Sequence, residues 1–134
     1  MEVDLTNSEL FKSFAEFEKD GIYINLHNEF DCGAVEYSSE QQMLMLSFKP
    51  NVYCTRNLKR VDIIFEDCCI KNYSAKLDGA NADLGTIDLM YRGRFELSDK
   101  QLSETSDGRY YYYITLLPDT NFELLSKRVI AIFE

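Results

Sequence analysis

Between Thr86 and Leu97, apolar and polar residues alternate with a period of two, a pattern that an extended strand can use and a helix cannot. Ile87, Leu89, Tyr91, Phe95 and Leu97 fall on one face with Gly93; Asp88, Arg92, Arg94 and Glu96 fall on the other with Thr86 and Met90. Gly93 marks a bulge or a close backbone approach, because a glycine inside a strand has no side chain to pack. The same period recurs along most of the chain. Ile22, Ile24 and Leu26 alternate with Tyr23, Asn25 and His27. Ala34 to Ser38 is joined through Ser39-Glu40-Gln41 to Gln42 to Phe48, which reads as a hairpin whose second arm is apolar on both faces and ends at Pro50-Asn51. A further strand covers Val61 to Glu66, and Asp78-Gly79 with Asn81 marks a turn region. Ser98 to Gly108 reads as one long hairpin loop returning into Arg109 to Leu117, which Pro118-Asp119-Thr120-Asn121 closes. Phe122 to Lys127 fits a helical turn or an irregular strand, and Val129 to Phe133 is a final strand.

One segment departs from this period. Thr6-Asn7-Ser8-Glu9 is a run of capping residues, followed by Leu10, Phe11, Phe14 and Phe17 at helical spacing and closed by Gly21. The spacing predicts an amphipathic helix over residues 7 to 19, with Glu9, Lys12, Glu16 and Lys19 balancing one another on its polar face. The expected architecture is mostly β (α+β): about seven antiparallel strands in a sandwich or partly open barrel, with one N-terminal amphipathic helix packed on it. The absence of a linker or a break in composition makes residues 1–134 a single expected domain.

The chain has 134 residues, 46% of them hydrophobic, enough to bury a core without metal or disulfide staples. Its net charge of -9 argues against nucleic acid, since neutralising phosphates needs clustered Lys and Arg. No apolar run approaches the roughly 18 residues of a membrane span. Met1-Glu2-Val3-Asp4 has neither the basic nor the apolar region of a secretory signal, so the expected compartment is the cytoplasm, with no membrane partner. There Cys32, Cys54, Cys68 and Cys69 are expected as reduced, structural thiols. No two of them have the Cys-x-x-Cys spacing that presents paired sulfurs to zinc, and no metal or cofactor is expected.

Catalytic chemistry finds little purchase. The single histidine, His27, sits beside Asn28 and Glu29 on the polar side of its expected strand, where a surface role fits better than that of a base. The nucleophile elbow, the phosphate loop, the dinucleotide glycine fingerprint and the metalloprotease His-Glu-x-x-His are all absent, and a non-enzymatic protein is expected. Asp78 to Asp83 offers oxygen ligands but lacks the alternate acids and the closing glutamate of a calcium loop. Arg92 and Arg94 could grip a carboxylate or phosphate, although a solvated strand face with cross-strand ion pairs explains them more simply. The run Tyr110 to Tyr113 offers rings for stacking, with at least one alternating pair assigned to the core.

The charge is unevenly spread. Residues 1–48 hold ten acids and two bases, residues 49–134 thirteen and twelve. From Asp20 to Phe48 there are five acids, Asp20, Glu29, Asp31, Glu36 and Glu40, and no Lys or Arg. An uncompensated acidic stretch repels itself and contributes little to folding, but it steers a basic partner. The alternative is that the surplus serves solubility alone. With strand phrases such as Val61-Asp62-Ile63-Ile64-Phe65-Glu66-Asp67 and Arg92-Gly93-Arg94-Phe95-Glu96, the chain resembles in general type the bacterial immunity proteins that neutralise toxins. That resemblance implies tight one-to-one inhibition of a cognate toxin, often a basic nuclease, by covering or distorting its active site. It carries over no individual residue.

The expected function is therefore that of a monomeric inhibitor binding a basic partner through residues 20–48, with Asp20, Glu29, Asp31, Glu36 and Glu40 supplying charge and Tyr23 and His27 the desolvated anchors. The alternative is a small-molecule or carbohydrate-binding β module that uses its tyrosines.

Overall fold

Residues 61–74 and 121–133 run antiparallel as one long ribbon, and this ribbon bends from one β-sheet into another. In the computed structural model, which describes residues 1–74 and 85–134, the strands in chain order are β1 (Glu2–Asp4), β2 (Glu16–Lys19), β3 (Ile22–Asn25), β4 (Phe30–Ser38), β5 (Met43–Pro50), β6 (Val61–Glu66), β7 (Cys69–Ser74), β8 (Thr86–Arg92), β9 (Phe95–Glu96), β10 (Leu102–Ser103), β11 (Thr105–Ser106), β12 (Arg109–Leu117), β13 (Thr120–Ser126) and β14 (Arg128–Phe133). A single four-residue helical turn, α1 (Leu26–Glu29), follows β3. The first sheet has the order β1-β14-β6-β5-β4; in the second, β12 pairs with β13 on one side and with β8 and β11 on the other, and β13 pairs with β7.

The sheets face each other without closing into a barrel, and their inner faces supply the core. Leu44, Leu46, Phe48, Ile63, Phe65 and Val129 from the first sheet meet Met90, Tyr112, Ile114 and Leu124 from the second. The Phe65 ring stands edge-on to Tyr112 at 5.5 Å, and Phe14 does the same from the N-terminal segment at 6.0 Å.

The ribbon changes sheet at Asp67-Cys68 on one arm and Ser126-Lys127 on the other. The pairing Glu66↔Arg128 before the bend and Cys69↔Leu125 after it keep one register, so the bend interrupts the pairing without slipping it. Asp67 takes a left-handed φ of 48°, a conformation a short polar residue tolerates. Its carboxylate is gripped by Arg109 Nη2 at 2.6 Å and Lys127 Nζ at 3.0 Å, while Arg109 Nε donates to its carbonyl at 2.8 Å. Ser126 Oγ lies 2.7 Å from Glu66 O and 3.0 Å from Arg128 O, tying the second arm to the first.

Several expectations match. The hairpin around Ser39-Glu40-Gln41 is β4–β5, and Val61–Glu66, Arg109–Leu117 and the closing strand are β6, β12 and β14. Phe122 to Ser126 resolves as part of strand β13, and Lys127 lies at the bend that follows it. Gly93 is a close approach: a Cβ there would lie 3.3 Å from the Tyr91 ring. The expected turn at Asp78-Gly79 and the oxygen-bearing segment to Asp83 lie outside the described residues.

The N-terminal helix over 7–19 is corrected. Among the described residues no helix reaches even two turns. Residues 8–15 are largely irregular and lie along β8, with Phe11 N–H donating to Arg92 O at 2.8 Å and Phe14 N–H to Met90 O at 2.7 Å. Residues 16–25 form a hairpin in which Lys19 pairs with Ile22 around Asp20 (φ 51°) and Gly21 (φ 79°), the two positive φ values of a type I′ turn. Gly21 is thus a hairpin residue rather than a helix terminator. Ser98 to Gly108 is likewise not one loop: β9 pairs with β10, and Asp107-Gly108 makes a second such turn between β11 and β12.

The face assignment in β8 is also corrected. Ile87 pairs with Leu116 and Leu89 with Thr115, which leaves Asp88 as an extra residue and reverses the alternation around it. Met90 is fully buried and Leu89 is 42% exposed. Arg92, opposite the fully buried Tyr112, therefore turns toward the interior end of the sheet.

Two outcomes test this frame. Phe65→Ala, which empties the contact between the sheets, should cost about 3–5 kcal/mol in chemical denaturation. Asp67 is held below the ordinary carboxylate range by its hydrogen bonds from Arg109 and then Lys127. Its contribution is therefore complete above about pH 4 and is lost as pH falls through the lower folded value, so Asp67→Asn should flatten the acid limb of a thermal-stability profile.

Candidate functional site

The β2–β3 hairpin exposes carboxylates around one tyrosine. Register places Glu18 opposite Tyr23 and Glu16 opposite Asn25, so these four side chains share a face. The Tyr23 hydroxyl donates to Glu16 Oε2, and Asn25 Nδ2 lies 3.4 Å from the same hydroxyl. Asn25 also caps α1, its Oδ1 accepting from Asn28 N–H at 3.0 Å, which sets the helical turn directly beyond the hairpin. Glu29 on that turn is close enough to act on Tyr23. The Tyr23 phenol is pushed up by its hydrogen bond to Glu16 first and, more weakly, by the charge of Glu29. Asp20 stands exposed at the hairpin tip. Among the described residues, none of Glu16, Glu18, Asp20 or Glu29 is ion-paired. One oxygen of Glu29, Oε2, is buried and has no hydrogen-bond partner among them.

The structure thus brings Tyr23 and Glu29 together, with Asp20 at the tip of the same hairpin, and places Asp31, Glu36 and Glu40 elsewhere. Asp31 lies outward on β4 directly across from Lys49, the first base beyond the acidic stretch. Glu36 shares that outer face but lies roughly 16 Å further along the strand at about 3.3 Å per residue, with Arg60 within electrostatic reach. Glu40 occupies the β4–β5 loop beyond it.

His27 is not on a strand: it lies in α1, half-buried, with Nδ1–H donating to Ile87 O at 2.6 Å. That bond joins α1 to β8 and fixes the ring orientation, with Nε2 outside the bond. Tyr23 is half-buried rather than fully exposed. Glu16 and Glu18 are not among the candidates read from the sequence, because a helix over 7–19 balances Glu16 against Lys12 and Lys19 and gives Glu18 no part in a site. The signal that finds them is Asp20-Gly21, a type I′ dipeptide between alternating segments.

The other chemistries read from the sequence fare as follows. Burial pushes the Cys32 thiol up to about 11 and Cys68 up to about 12, which keeps both in the unreactive thiol form. Cys69 is exposed and Cys54 half-buried. No group of His, Cys, Asp and Glu among the described residues is arranged to hold a metal. No helix among them is long and apolar enough to cross a membrane. Tyr110 to Tyr113 alternate as expected: Tyr112 is in the core, while on the outer face Tyr113 packs on Tyr91 at 5.5 Å and Tyr111 on Phe95 at 5.5 Å. The Tyr111 hydroxyl donates to Glu123 Oε1 at 2.6 Å, and burial raises its pKa.

Comparison with known protein families, curated proteins and solved structures finds no significant match.

The thiol environments predict an ordered reactivity. A disulfide reagent at pH 8 should modify Cys69 fastest in the folded protein and Cys54 next, whereas Cys32 and Cys68 should wait for unfolding. Mass-spectrometric site mapping reads the order.

Proposed function

We propose that the protein is a non-enzymatic binding protein that docks a basic protein partner, most concretely a toxin, on the outer face of the β2–β3 hairpin and the adjoining α1. The observation that carries this reading is the gathering of Glu16, Glu18 and Glu29 around Tyr23, with Asp20 at the tip of the same hairpin and no ion pair to any of them among the described residues. Such a cluster works against folding by self-repulsion but accelerates encounter with a positive surface. Tyr23 supplies the anchor, since a half-buried ring carries contact area at low entropic cost and interface energy concentrates in few residues. His27 lies on the adjoining α1, half-buried. Immunity-type inhibition of a cytoplasmic toxin, one protomer to one partner, is the specific form of this function that the acidic hairpin fits. The face is smaller than the stretch from 20 to 48: Asp31 and Glu36 have Lys49 and Arg60 near them, and Glu40 lies elsewhere.

The test compares three variants against the partner recovered by affinity capture. Replacing Glu16, Glu18 and Glu29 by Gln and Asp20 by Asn should slow association about tenfold or more at low salt, with dissociation and melting temperature little changed. Glu36→Gln with Glu40→Gln should leave association near the parent rate. Tyr23→Ala should cost about 2 kcal/mol or more, mainly in dissociation. An acidic partner, or a hairpin variant that binds like the parent, contradicts the proposal.

A further inference from the structure

Arg92 and Arg94 flank Gly93 where β8 ends, and they converge on one carboxylate, that of Glu104 between β10 and β11. Arg92 Nη2 is 4.0 Å from Glu104 Oε1, and Arg94 Nε is 3.7 Å from Oε2. Charge-assisted hydrogen bonds measure about 2.7–2.9 Å, so Glu104 offsets one of the two positive charges without a close bond to either guanidinium. Arg92 is the more unusual of the two. Its side chain is only 19% exposed, it points toward the interior end of the sheet, and its Nε is buried with no hydrogen-bond partner among the described residues. A buried donor on a charged group is costly to leave unpaired.

A second feature adjoins it. Phe11 holds a left-handed φ of 61°, which is strained for a bulky residue, and its N–H is fastened to Arg92 O at 2.8 Å. The strain holds its ring 58% exposed, 6.3 Å from the Tyr91 ring, with the Arg94 guanidinium 5.6 Å from its centre. Hydrophobic burial would draw such a ring inward; here it is held out beside the Arg94 guanidinium, while the neighbouring Arg92 guanidinium lies 5.3 Å from the Tyr110 ring with its Nε unpartnered among the described residues.

We propose that Arg92 and Arg94 form a binding site for the carboxylate of a small aromatic acid, with Phe11 as the stacking surface, and that Glu104 occupies the site loosely until a ligand displaces it. Each guanidinium faces one oxygen of the Glu104 group, so a free carboxylate entering the same space can move closer and take up the donors that Glu104, fixed through its own carbonyl to Tyr111 N–H at 3.0 Å, does not reach. The site shares no residue with the Tyr23 face, and the two proposals stand or fall separately.

Titration with benzoate, followed by amide and arginine Nε–H resonances, tests it. Saturable shifts are expected at Phe11 and at the Arg92 and Arg94 Nε–H signals, with no saturation by the uncharged isostere benzamide. Glu104→Gln removes the internal competitor and should tighten benzoate binding about tenfold, and Arg94→Gln should weaken it about tenfold or more. The proposal is overturned if benzoate does not saturate the Glu104→Gln protein, if benzamide binds as well as benzoate, or if Arg94→Gln leaves the affinity unchanged.

Discussion

The Asp67 carboxylate sits where a single ribbon becomes part of two sheets. Its bonds to Arg109 and Lys127 close the corner from the β12 side and the β14 side, and its left-handed backbone turns the first arm. With the register preserved through the bend, residues on one side of the corner determine which residues face inward on the other. Phe65, two residues before Asp67, meets Tyr112 on the opposing sheet, so the depth of the core follows from the geometry of the corner. The peripheral elements depend on that frame. The N-terminal segment lies along β8, α1 is tied to β8 through His27 and Ile87, and the β2–β3 hairpin packs on the frame through Phe17, whose ring lies 6.3 Å from that of Phe133.

Most of the frame was legible as alternation, because a strand with one buried face has to alternate. β6, β12 and β14 could be read nearly to the residue. The failures have local physical causes. Phe11, Phe14 and Phe17 are spaced by three, which mimics a helical stripe, but they serve different ends: Phe14 is core, Phe17 packs on Phe133, and Phe11 is exposed on a left-handed backbone. The two Asp-Gly turns outweigh helix and loop signals once the flanking residues can pair. In β8 one extra residue, Asp88, reversed which face is inside, and a bulge of this kind leaves no mark in the pattern of residue types.

The candidate site shows the same division. A surplus of acid early in the chain was legible by counting, and Tyr23 and Glu29 are neighbours in space as well, with Asp20 on the same hairpin. Pairing across strands was not legible. It brings Glu16 and Glu18 beside Tyr23, and it places Lys49 and Arg60 near Asp31 and Glu36, which a count ending at Phe48 leaves bare. Charge distribution here is a property of sheet register more than of sequence distance. The same register turns Arg92 inward, where its guanidinium lacks the water that an outward ladder would have had.

That one bent ribbon holds both sheets as a single cooperative unit is the claim on which every other placement rests. Native-state hydrogen exchange across a denaturant series measures it directly, because each amide reports the free energy of the opening that exposes it. The protected amides of β13 and β14, which lie on opposite sides of the corner, should exchange with one common free energy equal to that of global unfolding, while those of the β2–β3 hairpin should open at lower cost. A β13 set that opens well below β14 would mean that the two sheets are separate units joined by a flexible corner, and would contradict the account.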